Sequence, residues 1–319
     1  MTRFLVRRIF FGIVVLWIVA TVVFVMYFVA PHDPAKLIAG RQATTETIGL
    51  VSHRLGLDRP LPAQYGRYLW RLIHGDLGYS YVNSVPVTTI IKQDLPITAS
   101  VALGGAVLWM VIGVTSGVLA ATRPRSKRDR AVTGLSLFFY SMPTFLLGEL
   151  FLLLLFYRLH LAGVRFFPGG GYVGFTHSPF DWLKHMILPW FTLALVTAAT
   201  YSRLTRGSLL EVLGEDYIRT ARSKGLSERR VVYRHGLRSA MTPVVTQFGI
   251  DLGTFLGGII LTETVFSLPG LGQQIYSSIS RQDLPVVIGL ALLAAAFIVV
   301  ANIAVDAVYA VLDPRVRLS

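Results

Sequence analysis

The sequence predicts an all-α polytopic membrane protein with about six transmembrane helices and both termini on the cytoplasmic side, and three observations carry that prediction. The 319 residues are 53% hydrophobic and 15% charged, with a mean hydropathy of +0.59; soluble globular chains carry about 25% charged residues. The apolar residues are gathered into long runs separated by charged segments. The density of Lys and Arg alternates from one intervening segment to the next. Cysteine is absent, which excludes thiolate metal sites, iron–sulfur clusters, disulfide scaffolds and cysteine nucleophiles. The apolar excess excludes a disordered chain and argues against a soluble enzyme.

The first run, residues 9–30, has no charge over 22 positions, and about 20 apolar residues cross a bilayer as helix. Arg3, Arg7 and Arg8 precede it as they would a signal peptide. The run exceeds the roughly 7–15-residue apolar core of such a peptide and no A-x-A-like site follows, so it reads as a retained span. Residues 31–96 contain Pro60, Pro62, Pro86 and Pro96 beside Tyr65, Tyr68, Trp70, Tyr79 and Tyr81. That segment is too aromatic for a disordered linker and reads as a small cap on the outer face. Runs at about 97–122, 131–157, 186–202, 239–266 and 286–311 supply five further spans. The fourth of the six is the shortest and contains Pro189, and the third contains Pro143; both prolines mark kinks or hinges. The organisation expected is a tail and first span (1–30), an extracytoplasmic region (31–96), a five-helix core (97–311) with a cytoplasmic loop at 203–238, and a tail (312–319).

Six spans place both termini on one side. The net charge of +13 would suggest nucleic acid on a soluble chain, so the placement of the charges decides its meaning. Nineteen of the thirty Lys and Arg residues fall before residue 9, within 123–130, within 203–238 or near the C-terminus. All of these lie on the side shared by the termini, which the positive-inside rule makes cytoplasmic. Those segments alone sum to +13, and the +4 of the outer segments is offset by four carboxylates within spans. The basic balance is therefore a topology signal, and the expected contact is a lipid bilayer, with no nucleic acid.

Those four carboxylates are Glu149, Asp251, Glu263 and Asp306. An intramembrane charge costs roughly 2.5–3.5 kcal/mol at mid-span on insertion scales, so each should face an interior or a partner. Asp251 lies deepest and is the first candidate for a pathway-lining group, with Glu149 the second. Glu263, near an outer end, and Asp306, near an inner end, read as structural. Gly249, Gly253 and Gly257 make two consecutive G-x-x-x-G steps, and Gly113 and Gly117 repeat the pattern. Such stripes let helix backbones approach closely, whether within the chain or against another one. Gly169–Gly174 matches G-x-G-x-x-G formally but lacks a βαβ setting and reads as a turn. The seven histidines make no H-E-x-x-H or tight pair, so no metal site and no catalytic residue is expected.

The segment Gly214–Gly225 is the strongest local feature. Glu215 and Asp216 stand where a helix N-terminus favours anions, and Gly225 where a left-handed C-cap would end it. Tyr217, Ala221 and Lys224, at i, i+4 and i+7, give a short extramembrane helix one partly apolar face. Such a helix suits docking into a groove of a partner or lying on anionic lipid, and the residues alone leave both open.

With Arg229–Pro243 (RRVVYRHGLRSAMTP) behind it, this segment resembles the EAA-type loop of ABC importer permeases. Its Asp-Tyr-Ile-Arg-Thr-Ala-Arg-x-Lys-Gly resembles the dipeptide/oligopeptide/nickel branch. Gly56-Leu57-Asp58-Arg59-Pro60-Leu61-Pro62, Gln64-Tyr65, Gly75-Asp76-Leu77-Gly78, Glu263–Gly272 (ETVFSLPGLG) and Asp313-Pro314-Arg315 are similar to blocks of the B-type permease subunit. The resemblance implies a type I ABC importer permease fold in the inner (cytoplasmic) membrane of a bacterium or archaeon. It implies transport without catalysis in this chain: a second related permease as partner, two cytoplasmic ABC ATPases beneath, and an external substrate-binding protein above. Glu215, Asp216, Tyr217, Arg219, Thr220, Ala221, Arg222, Lys224 and Gly225 would form the helix that docks onto an ATPase. The chain has no G-x-x-x-x-G-K-[ST], so ATP and Mg are expected on those partners and no cofactor on this chain. Di- and oligopeptides are the expected cargo, with a nickel chelate, glutathione or haem as alternatives. A different class, an ion-coupled secondary transporter, could use the in-span carboxylates for protons but leaves the loop helix unexplained.

Overall fold

Each long apolar run becomes helix, because a chain with no water to bond must satisfy its backbone internally. The computed structural model describes residues 2–26, 44–55 and 58–312. In chain order it has α1 (Thr2–Phe24), α2 (Thr45–Leu55), α3 (Leu61–Ile73), and a two-residue antiparallel ribbon of β1 (Tyr79–Ser80) and β2 (Val85–Pro86). Then follow α4 (Val87–Ala121), α5 (Lys127–Ser141), α6 (Thr144–Phe151, prolonged by the π-helical Leu152–Arg158 and Leu159–Leu161) and α7 (Pro179–Leu213). The short α8 (Asp216–Ser223) leads through Glu228–Arg230 and the π-helical Val231–Gly236 into α9 (Leu237–Leu256). The chain closes with α10 (Ile260–Val265), α11 (Leu271–Ser280) and α12 (Leu284–Leu312).

Among the described residues five helices are long and apolar enough to cross a membrane: Val6–Phe24, Val87–Ala121, Thr144–Leu161, Pro179–Leu213 and Leu284–Val305. The helical class stands, and several expected boundaries change. The run 131–157 is two helices: Pro143, with φ −57° and ψ 134°, leaves the helical region and caps α6. The run 239–266 is also broken, because α9 ends at Gly257 and Gly258 takes a positive φ before α10. The run 186–202, the shortest in sequence, belongs to one of the two longest helices. Both α4 and α7 have 35 residues, about 52 Å at 1.5 Å per residue, against about 30 Å of hydrocarbon. Their charged ends, with Asp94 on α4 and Arg206 and Glu211 on α7, extend past the apolar stretch as helix, and so α4 begins at Val87, not near 97. Pro189 and Pro96 lie inside α7 and α4 without ending them. The end of the expected first span and the start of the expected cap (27–43), residues 56–57, the Asp306 side chain and the tail from 313 lie outside the described residues.

Two close seams hold the bundle. A Cβ on Gly113 would stand 2.4 Å from Tyr201 Cβ, and one on Gly117 2.7 Å from the Ser202 carbonyl oxygen, so α4 and α7 meet nearly backbone to backbone. Trp190 lies over Gly104 and donates its Nε1–H to the Ser100 carbonyl at 2.8 Å. The stripe Gly249, Gly253, Gly257 packs on α12, where added Cβ atoms would collide with Val305, Ala301 and Ala294. That seam lies within the chain. Between the seams sit Val101, Trp109, Met186, Leu193, Val244 and Phe266, all buried.

Candidate functional site

Helix α8 follows α7 after a turn of two residues, in which Gly214 and Glu215 donate to the Glu211 and Val212 carbonyls at 3.0 and 3.1 Å. Glu215 is the extended N-cap and Asp216 lies in the first turn. At the other end Gly225 takes φ +76°, its N–H donates to Arg222 O at 2.9 Å, and Leu226 N–H reaches Ala221 O at 3.4 Å. This is a Schellman cap, and Leu226 adds the accompanying apolar contact. The C-cap read from Gly225 is therefore present.

The apolar face differs from the one the spacing suggested. Ile218 is fully buried and Ala221 nearly so, packed on Val212, Leu213, Leu226 and Val231. Tyr217 and Lys224 are exposed, because residues at i and i+3, not i, i+4 and i+7, face the chain's own body. Burying Ile218 contributes about 1.5–3 kcal/mol toward fixing the helix. Ala221 is thus an anchor and presents nothing outward. Arg222 donates to both Glu228 carboxylate oxygens, Nη2–Oε1 2.8 Å and Nε–Oε2 3.1 Å, and more weakly to the Leu213 carbonyl at 3.4 Å. The guanidinium holds the Glu228 carboxyl below its usual range. The remaining residues named from sequence, Glu215, Asp216, Tyr217, Arg219, Thr220, Lys224 and Gly225, are all exposed.

A second ion pair, not anticipated from the sequence, braces the same end of α7. Arg206 reaches across to Asp129 of α5 with Nε–Oδ1 2.6 Å and Nη2–Oδ2 2.8 Å. Asp129 Oδ2 also accepts from the Arg125 N–H at 2.8 Å, and Ser126 N-caps α5 by accepting from Asp129 N–H at 3.3 Å. Hydrogen bonding to Arg206, reinforced by the Arg125 amide, holds the Asp129 carboxyl down at about 2. The pattern Ser-x-x-Asp before α5 was the available signal.

The in-span carboxylates have different surroundings. Glu263 is fully buried on α10. It accepts from Thr98 Oγ1 at 2.6 Å and from Gln273 N–H at 2.9 Å, while Thr98 Oγ1 itself accepts from Leu271 N–H at 2.8 Å. A Cβ on Gly270 would stand 2.3 Å from Glu263 Oε1, so the Pro-Gly-Leu-Gly turn wraps the carboxylate and ties α10 and α11 to α4. Asp251 accepts from the Tyr201 hydroxyl at 2.9 Å and from Gln247 Nε2 at 2.9 Å, joining α9 to α7. The Glu149 carboxylate has no hydrogen bond or ion pair among the described residues, and it stands exposed on α6 between Phe145, Leu146 and Leu153. Gly169–Gly174 is a turn, as read: Gly171 N–H donates to Phe266 O at 2.9 Å, and Gly170, at φ +136°, lies so close that a Cβ would come within 2.7 Å of that oxygen.

A polytopic helical bundle carrying a rigid, outward-facing helix on the loop between two of its long helices is the class of a membrane permease subunit. Residues 113–318 match the binding-protein-dependent transport system inner membrane component family, and residues 1–102 match its N-terminal membrane component. A chain of Brucella abortus (strain 2308), provisionally named a peptide transport system permease protein, is 41% identical over 99% of both chains. The dipeptide transport system permease protein DppB of Escherichia coli K12 is 38% identical, again over 99% of both. A chain in a structure of the MetNI methionine ABC transporter in an inward-facing conformation shares the fold, with TM-score 0.53 at 21% identity, over 71% of this chain and 97% of that one. This chain belongs to the binding-protein-dependent transport system permease family, and it is a permease subunit of an ABC importer.

Proposed function

We propose that the chain forms half of the translocation pathway for di- and oligopeptides, with α8 as the element that docks onto a partner ATPase. The observation that carries this is the division of labour on α8. Ile218, Ala221 and Arg222 bind the helix to its own chain, while Asp216, Tyr217, Arg219, Thr220 and Lys224 stand clear of it. A helix held rigidly from one side and bare on the other suits insertion into a groove. ATP and Mg are held by two cytoplasmic ATPases, an external binding protein delivers the cargo, and a second related permease completes the pathway. Both termini and α8 lie on the cytoplasmic face of a bacterial or archaeal inner membrane, supported by the Lys/Arg excess there. Glu149 is the better placed of the two pathway candidates, because Asp251 already has both oxygens occupied.

The chain contains no cysteine, which allows a direct test in the full assembly. Tyr217→Cys should cross-link to an ATPase subunit, and Ile218→Cys, buried, should not. Gly225→Val places a β-branched residue at φ +76° and should lower transport and ATPase stimulation together while the membrane bundle stays folded. Absent cross-linking with wild-type coupling in Gly225→Val would remove the docking assignment. Robust uptake by this chain alone on a proton gradient would overturn the importer mechanism.

A further inference from the structure

Helix α3 has no fully buried residue, yet it is strongly two-sided. Its chain-facing side is carried by Tyr65 and Tyr68, which close over Phe24 with ring centroids 5.0 and 5.5 Å away, and the Tyr65 hydroxyl lies 2.6 Å from Thr21 Oγ1. Phe24 is buried beneath them. The opposite side holds Pro62, Ala63, Gly66, Trp70 and Ile73, all exposed. At 3.6 residues per turn these fall within an arc of about 100°. Trp70 is 65% and Ile73 79% exposed. Gln64, Arg67 and Arg71 occupy the polar edge; Arg71 is bound to Asp76 at 2.7 Å, and Arg67 has no ion-pair partner among the described residues.

The place where α3 is fastened identifies what covers that apolar arc. The span Val6–Phe24 measures about 28 Å as helix, close to the roughly 30 Å hydrocarbon thickness, so Thr21 and Phe24 lie at one bilayer boundary. α1 is itself exposed along Ile18 and Val22, as a helix face turned to lipid would be. A Trp at the headgroup level with a cation at the edge of the same helix is the chemistry of an interfacial anchor.

We propose that α3 lies in the headgroup layer of the membrane surface at the end of α1 away from the N-terminus. Trp70 and Ile73 enter the acyl boundary, and Arg67 faces lipid phosphates. The anchor fixes the segment that leads into the ribbon and α4 to the plane of the bilayer, independently of what the permease transports.

The absence of cysteine makes the test site-specific. Gly66→Cys, Arg67→Cys, Trp70→Cys and Ile73→Cys are each labelled with a nitroxide in the assembled complex, in nanodiscs of phosphatidylcholine and phosphatidylglycerol, with Ile18→Cys as the bilayer reference. A Cβ at Gly66 meets nothing within 4 Å, so that variant perturbs no packing. Labels at 66, 70 and 73 should collide more with oxygen than with nickel-EDDA, as at 18, and the label at 67 should do the reverse. Nickel-dominated collision at 70 and 73 would place the face in water. Labels immobilised and shielded from both reagents would place a protein there. Either result overturns the proposal.

Discussion

Gly117→Ala should loosen the α4–α7 seam, although it exchanges a poor helix former for the best one. The added Cβ would stand 2.6 Å from Thr205 Cβ and 2.7 Å from the Ser202 carbonyl oxygen. Carbon atoms rest at about 3.5–4.0 Å, so the helices must part locally by roughly 0.9 Å, since a backbone oxygen cannot rotate out of the way. Overpacking of this kind costs about 1–3 kcal/mol, and helix propensity returns up to about 1 kcal/mol. At full propensity gain the expected net is a loss of up to about 2 kcal/mol, and the deficit against a variant that only gains propensity is about 1–3 kcal/mol. Gly134→Ala on α5 is the matched control: its Cβ meets nothing within 4 Å, so it should show the propensity gain alone. Thermal unfolding of the two variants in one detergent, followed by the fraction remaining monodisperse, reads the difference. If Gly117→Ala is as stable as Gly134→Ala, the backbone-to-backbone seam is wrong and the account of the bundle fails with it.

Five further substitutions, at four residues, probe the polar side chains. Thr98→Val strips Glu263 of one donor and Leu271 N–H of its acceptor in a buried place, so it should destabilise by about 2–4 kcal/mol, while Thr98→Ser should retain most of the wild-type stability. Because Asp129 titrates at about 2 when folded, below its ordinary 3.8, its stabilising contribution is complete above pH of about 4 and is lost as pH falls toward 2. Asp129→Asn should flatten that acid limb in a pH series of unfolding midpoints, and an unchanged limb would show that other groups set it. Asp251→Asn should lower stability more than Glu149→Gln, whereas Glu149→Gln should alter uptake by reconstituted assemblies; the opposite ranking would show that Asp251, despite its two donors, is the pathway group.

Hydropathy located the spans well where helix and apolar run coincide, as in α12, and less well where they do not. In α4 and α7 helix continues through Asp94, Arg206 and Glu211, charged residues that end the apolar run while the backbone keeps its ladder. The run around Pro143 fails in the other sense: apolar composition persists while the missing N–H ends the helix. The loop helix was legible in its caps, because Glu215, Asp216 and Gly225 act locally. Its orientation was not, because only the tertiary positions of Val212 and Val231 determine that Ile218, rather than Tyr217, turns inward. Thr98 and Tyr201 carried no signal at all. Each matters through a carboxylate at long sequence separation, Glu263 or Asp251, and no local pattern announces such a partner. The glycine stripe announced close packing, but the small and β-branched residues that receive it, Ala294, Ala301 and Val305, belong to another helix.

The contacts around α8 explain how a push on one short helix would reach the membrane. Ile218 seats it against Val212 and Leu213 at the end of α7 and against Val231 at the entry to α9, and Arg222 bridges the same two elements through Leu213 O and Glu228. α8 therefore cannot shift without moving both long helices or giving up a buried side chain and a two-pronged ion pair. Deeper in the bundle, Tyr201 and Asp251 join α7 and α9 again, so the two are pinned at the loop and within the span. Each also has its own partner, α4 through Gly113 and Gly117 and α12 through Gly249 and Gly253. Close seams of this kind transmit displacement because they have no slack to absorb it. The break at Gly257 and Gly258 ends the helical continuity of that coupling: beyond it, α10 and α11 are held to α4 by Glu263 and Thr98, and the turn at Gly258 lies so close to Gly272 that a Cβ would come within 3.1 Å of its Cα.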